Sequence, residues 1–337
     1  MRKYFWYELK KSLGALALLT VAMVLPYVIS VSTNEMFYLS SNGYLHIYEP
    51  GLEGLYAGVV LLALAAVIIT FSFKMEKRSV DCFFALPLKR WKQYLVRTLL
   101  GLCLVAIPLT IAYWVGFFVL LFRPENPYNM ELYVPTYFAL LFFAFCLFGF
   151  FSFVYTRANT VADGLAYLCA YILVFYFISN MFWQLSGWNL AWKHIEENMD
   201  IFGGSAFIRG ISARICREEG AALRLERCIF PTVLGVLGYI LQFALLPMEK
   251  AENAGQISES WFGYKVLIPV YVVCSFQMFA RGFNLMTTVI IAMLAFGGAV
   301  AYKRTVRLSW KYGVVLACAM VLGIILTEIA KAVTQYY

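Results

Sequence analysis

Histidine is almost missing from these 337 residues. Only His46 and His194 are present, and neither falls in a spacing such as His-Glu-x-x-His, so no metal site is expected and a zinc intramembrane protease is disfavoured. Charge is scarce too: 14% of residues are Asp, Glu, Lys or Arg, against roughly a quarter in a soluble domain that must coat its surface. No Gly-x-x-x-x-Gly-Lys-Ser/Thr occurs, and the polar stretches are too short to fold a nucleotide-binding domain, so the chain is not expected to hydrolyse ATP or to be an enzyme. The eight cysteines include no Cys-x-x-Cys. Most lie in apolar runs, where a thiol behaves as a small apolar group.

What fills the sequence instead is hydrocarbon: 62% of residues are hydrophobic, and no water-soluble core could hide that much apolar surface. A hydrocarbon layer of about 30 Å takes about 20 apolar residues per helix. Nine segments fit, at about 13–32, 55–73, 98–122, 133–155, 161–184, 229–247, 264–280, 285–302 and 313–330. The seventh is short and carries Pro269, and the fifth opens with Asp163. Runs such as Val59 to Thr70 are apolar at every position, which rules against the alternation of a β-barrel. The expected fold class is therefore all-α, a polytopic membrane protein of about nine transmembrane helices in one domain spanning 1–337. The first run follows Arg2, Lys3, Lys10 and Lys11, but it is too long for a secretory signal and ends in no small-residue cleavage site.

Lys and Arg mark cytoplasmic loops, so their placement orients the chain. The N-terminus carries four basic residues against Glu8 and reads as inside. Thr33 to Gly54 has Glu35, Glu49 and Glu53 without a basic residue and reads as outside. Lys74, Lys77, Arg78, Lys89, Arg90, Lys92 and Arg97 then face only Glu76 and Asp81, the strongest inside signal in the chain. The segment from about 187 to 227 holds six basic and six acidic residues, which decides nothing, and only parity puts it outside. Lys303, Arg304, Arg307 and Lys311 form a second inside cluster, which requires an even number of spans after the inner loop at Glu249 to Glu259. The net charge of +8 sits beside span ends rather than in one stripe, so membrane lipid and not nucleic acid is the expected partner of these charges.

Other features are weaker. Cys216 and Cys228 share the outer segment and could form a disulfide or remain two thiols. Asp163 and Glu328 lie near span ends and read as interfacial rather than as an ion path. Gly54-Leu-Tyr-Ala-Gly58 suits close helix packing, within one chain or between two. Pro26 and Pro108 fall inside spans, and Trp6, Tyr7, Trp183, Trp188, Trp192 and Trp310 sit at span ends as interfacial anchors. Glu218, Glu219 and Arg224 are similar to the Glu-Glu-x-x-x-Arg of CAAX-type membrane proteases, but the spacing is one residue too long and the partner histidines are missing.

The most informative stretch is the loop at 74–97. A helical reading places Val80, Phe83, Phe84 and Leu88 on one side with basic residues beyond, a short amphipathic helix at the inner surface. With Asp81, then Leu86-Pro87, then Lys89 and Arg90, this loop resembles the one between the second and third spans of type-2 permease subunits of ABC exporters. After the sixth span, Lys250-Ala-Glu252-Asn-Ala-Gly255 is similar to an Arg-x-x-Glu-x-Ala-Gly segment of a Gram-positive subgroup of these permeases, and the amphipathic stretch from Trp6 to Leu13 matches their N-terminal elbow. The resemblance implies a permease subunit in a bacterial cell membrane with a cytoplasmic N-terminus, paired with a second permease chain as homo- or heterodimer. It implies further that Asp81, Phe84, Leu86, Pro87, Lys89 and Arg90 contact a separate ABC ATP-binding subunit, which would carry the ATP and Mg that this chain lacks. The other reading of the same loop is a non-transporting membrane anchor or sensor that recruits a cytoplasmic partner through 74–97.

Overall fold

Long unbroken apolar runs leave the backbone one way to satisfy its amides away from water, and the chain takes it: helix follows helix. The computed structural model describes residues 2–33, 37–39, 45–47, 49–76, 88–122, 130–186, 226–248, 254–256, 258, 260–278, 285–303 and 309–335. Helices are α1 (Arg2–Lys11), α2 (Leu13–Thr33), α3 (Glu49–Phe71), α4 (Arg90–Leu121), α5 (Met130–Thr156), α6 (Val161–Ser186), α7 (Glu226–Ala244), α8 (Tyr264–Met278), α9 (Leu285–Lys303) and α10 (Trp310–Gln335). Between α2 and α3, the stretch read only as an outer loop holds a small antiparallel hairpin, β1 (Phe37–Leu39) and β2 (Leu45–Ile47), with Tyr38 opposite His46.

Among the described residues, six helices contain stretches long and apolar enough to cross a membrane: Leu13–Ser32, Gly54–Lys74, Arg90–Leu121, Tyr133–Thr156, Val161–Ile178 and Trp310–Ile329. Cys228–Ala244, Tyr264–Phe276 and Met286–Val300 are apolar but shorter. These long apolar helices are compatible with a multi-pass membrane protein. Their outward faces agree: Leu18, Val21, Leu25 and Ile29 on α2, and Val321, Leu322 and Ile325 on α10, are each more than half exposed, a surface suited to lipid and not to water.

One boundary differs substantially from the sequence reading. The third apolar segment was expected from residue 98, with a loop before it, whereas α4 begins at Arg90. Hydropathy falls over Arg90–Arg97, but Arg, Lys, Gln and Leu are good helix formers, and Gln93, Tyr94 and Arg97 are buried against neighbouring segments.

The chain divides into two units, residues 1–161 with 201–256 and residues 162–200 with 257–337. In the first, α5 is central: 72% of the apolar 18-residue core of its Tyr133–Thr156 stretch is buried, against 22% for that of Leu13–Ser32 in α2. α4 and α5 run antiparallel, with Gly101 under the Phe148 ring, the Thr110 and Tyr137 hydroxyls 2.8 Å apart and the Tyr113 hydroxyl donating to the Tyr133 carbonyl at 2.7 Å. Gly54 and Gly58, the small pair noted in the sequence, both face α2, against Ser30 and Met23, so they serve packing inside this chain.

α5 and α7 run parallel and very close. Gly235 abuts Cys146, Gly238 abuts Gly149 and Phe150, and Ser152 Oγ lies 2.8 Å from Gln242 Oε1, so both chains ascend in register. Small residues permit that approach where lipid supplies no hydrophobic drive between helices.

In the second unit α6 and α8 are likewise parallel, pinned by Tyr264 Oη to Asp163 Oδ1 at 3.0 Å and Tyr271 Oη to the Ala170 carbonyl at 2.7 Å. α9 returns antiparallel, its end meeting the start of α8 through the Tyr264 and Tyr302 rings, 4.9 Å between centroids. Lys303 then sits 4.6 Å over the Tyr312 ring at the start of α10, and Phe276 packs on Gly323. Val272, Phe276, Ile291, Ala295 and Ala299 form the core of this unit.

Candidate functional site

Polar and charged side chains of the first unit gather at the end where α1 lies. α1 is short and basic, with Lys10 and Lys11 in its last turn, where cations suit the helix dipole. Its one acidic residue does not face water: Glu8 is 2% exposed, and its Oε1 accepts a hydrogen bond from Arg97 Nη2 at 2.9 Å. Arg97, in the second turn of α4, is 6% exposed and lies 4.6 Å from the centroid of Phe73. Phe73 packs edge-on to Tyr94 at 6.2 Å. The Tyr4 hydroxyl beside the pair is pushed above its usual pKa, chiefly by burial, with Arg97 opposing and Glu8 adding to the rise.

These residues bracket the loop at 74–97 from both sides. On one side Lys74 Nζ donates to the Thr156 carbonyl at the end of α5, an acceptor that has no amide partner within the helix. On the other, α4 opens with Lys89 as its N-cap residue, without a side-chain cap, and its carbonyl accepts from Lys92 N at 2.9 Å. Lys89 and Arg90 are exposed there, and no acidic residue occupies the first turn. Three cations, Lys89, Arg90 and Lys92, therefore crowd a helix N-terminus whose dipole already carries positive charge.

The segment following α7 joins the same end. Gly255 adopts φ of 76°, a conformation closed to most side chains, and its N–H donates to the Asn159 carbonyl at 2.9 Å. Ala254 beside it is buried. The turn after α5 thus receives Lys74 from one loop and Gly255 from the other, with Arg157 buried there over Phe153, 5.6 Å from the ring centroid.

No protein-family model matches the chain, and no curated protein or solved structure matches it either. The site is therefore judged on its own geometry. Of the residues singled out from the sequence, Lys89, Arg90 and Gly255 belong to this end, whereas Asp81, Phe84, Leu86, Pro87, Lys250 and Glu252 lie outside the described residues. Cys228 is buried on α7, and Cys216 lies outside the described residues, so their pairing is not placed. Glu218, Glu219, Arg224 and His194 are outside them as well. Among the described residues no group of three or more His, Cys, Asp or Glu could hold a metal ion.

Sequence reasoning counted Glu8, Lys74 and Arg97 only as orienting charges and passed over Phe73, Thr156 and Asn159. One signal was available: a single acid in a basic helix, and an arginine a few residues short of a long apolar run, are each expensive to bury alone.

Gly255 supplies a direct test. Valine at φ of 76° is strained by about 1–2 kcal/mol, so Gly255→Val is expected to detach this segment from Asn159. Trypsin cleavage after Lys250 in the purified protein would then accelerate, and an unchanged rate would show that the bond holds nothing.

Proposed function

We propose that this chain is the transmembrane permease subunit of an ABC exporter, working with a separate ATP-binding subunit in a bacterial plasma membrane, N-terminus cytoplasmic. The observation that carries the reading is the cationic first turn of α4 within the 74–97 stretch, with Lys89 and Arg90 exposed, backed by the buried Glu8–Arg97 pair. A helix that places Lys89, Arg90 and Lys92 against its own dipole gives up stability locally, which suits a surface that docks an acidic partner. The rear of that surface is tied to α1, α3 and α5, so a push on the loop would be passed to whole helices as rigid bodies.

Nine crossings form part of this proposal, and the parallel helix pairs support it. A parallel α5 and α7 call for an odd number of crossings between Thr156 and Glu226, and the proposal gives one of them to α6. A parallel α6 and α8 likewise call for an odd number of crossings between them, which the proposal assigns to α7 with its 19 residues. For α9 to meet α8 antiparallel and lead into α10, it crosses too. Two such permease chains would pair around the transport path.

The test is co-purification from the native membrane. The wild-type chain is expected to bring down an ATP-hydrolysing subunit, and the double variant Lys89→Glu/Arg90→Glu to lose it while remaining monodisperse. Pro87→Gly is expected to retain the subunit but uncouple its ATP hydrolysis from transport. If no ATPase accompanies the wild-type chain, or the charge reversal leaves capture intact, the proposal fails.

A further inference from the structure

Within the first unit, Phe5 of α1, Leu99, Leu102, Cys103 and Ala106 of α4, and Phe145 of α5 line a groove of 300 Å³ that the permease reading does not use. Its lining holds no charge and no hydroxyl. The α4 residues recur three and four apart, so they share one face of that helix, and they extend about 10 Å along its axis. That is the length of the first half of an acyl chain. Leu99 is exposed, as are Ile107, next to Ala106 in the chain, and Phe142, one turn before Phe145. The groove therefore opens on the apolar outer surface, where a hydrocarbon chain can enter from the side.

Charge complementarity selects the head. Arg2, Lys3, Lys10 and Lys11 of α1 are all exposed and form no ion pair among the described residues, and the one acid of that helix, Glu8, is committed to Arg97. Lys3, Trp6, Tyr7 and Lys10 fall at i, i+3, i+4 and i+7, a single exposed face on which cations flank the two aromatic side chains that favour the headgroup layer. Arg2 stands one turn before Phe5, the α1 residue that lines the groove, so positive charge is placed within a turn of it. A neutral lipid would fill the groove and leave four cations without a counter-charge. An acidic peptide would meet the cations but leave the apolar groove and the Trp6–Tyr7 pair unmatched. An anionic lipid satisfies all three features.

We infer that α1 and this groove bind an anionic phospholipid, its phosphate at Arg2 and Lys3 and the first half of one acyl chain along Leu99 to Ala106. The site rests on a membrane setting and needs no ATPase partner, so its failure would leave the permease proposal standing, and the converse holds.

The experiment uses the full chain in phosphatidylcholine nanodiscs doped with one of two photoreactive lipids, phosphatidylglycerol or phosphatidylcholine, each with the same diazirine-bearing acyl chain. Labelling is mapped by mass spectrometry to residues 99–106 and, as a lipid-facing control, to residues 18–29 of α2. Phosphatidylglycerol is expected to label 99–106 about tenfold more than phosphatidylcholine at low salt, with a smaller ratio at high salt and no such preference at 18–29. Arg2→Gln/Lys3→Gln should bring the ratio close to one while labelling by phosphatidylcholine stays as in the wild type. Ala106→Phe fills the groove from a half-buried position and should lower labelling of 99–106 by both lipids, leaving 18–29 unchanged. Equal labelling of the wild type by the two lipids, a preference that survives loss of both cations, or labelling indifferent to Ala106→Phe would each overturn the inference and leave ordinary annular lipid.

Discussion

Glu8→Ala is expected to destabilise the protein by about 3–5 kcal/mol, because it leaves the Arg97 guanidinium buried without its counter-ion. The burial decides the size. An exposed pair at the same 2.9 Å would be worth about 1 kcal/mol or less, since water and salt would replace the lost partner. Here Glu8 and Arg97 are 2% and 6% exposed, and the pair joins α1 to α4. Arg97→Ala should be damaging for the same reason, with the added loss of the cation stacked on Phe73. The double variant Glu8→Leu/Arg97→Met, which removes both charges and keeps the volume, should recover most of the stability. Thermal unfolding of the detergent-solubilised protein, followed by loss of the monodisperse peak, reads all three. If Glu8→Ala melts with the wild type in both low and high salt, the pair is a surface ornament and the anchoring of α1 is wrong.

The contrast between what was and was not legible follows from how far each signal reaches along the chain. The six long apolar helices among the described residues were readable because hydropathy is a local sum, and each run is close to or longer than the roughly 20 residues that span a hydrocarbon layer. The start of α4 was missed because the same sum turns unfavourable at Lys89–Lys92, although the helix formers there keep the backbone helical and α1 buries the inward face. The hairpin at Phe37–Ile47 was missed because its strands are three residues each, too short for alternation to register. Gly255 was singled out by resemblance alone, and its backbone supplies the reason: a φ only glycine adopts freely. The Glu8–Arg97 pair and the parallel contact of α5 with α7 join residues roughly ninety positions apart, and no pattern within one segment encodes such a meeting.

That parallel contact carries the second large effect. Gly238→Ile would place a Cβ 2.5 Å from the Gly149 carbonyl oxygen and 2.9 Å from Phe150 Cα. Both obstacles are main chain, so no rotamer change relieves them and the helices must part. Overpacking a core costs about 1–3 kcal/mol when side chains can shift, and more when they cannot. Parting the helices also pulls Ser152 from Gln242 and the Tyr239 hydroxyl from the Phe145 carbonyl, leaving buried polar groups unpaired in the interior. A loss of about 4 kcal/mol or more is expected, enough to stop accumulation of the folded protein in membranes. Two further glycines calibrate the claim. At Gly58 the added carbon of Gly58→Ala meets the Met23 sulfur at 2.8 Å, a flexible end that can swing aside, so a modest loss is expected. At Gly297 it meets nothing within 4 Å, and Gly297→Ala should be neutral or slightly stabilising through better helix propensity. Folded yield and thermal midpoint should therefore fall in the order Gly297→Ala, Gly58→Ala, Gly238→Ile. Comparable yields for the first and last would mean that α5 and α7 do not approach this closely.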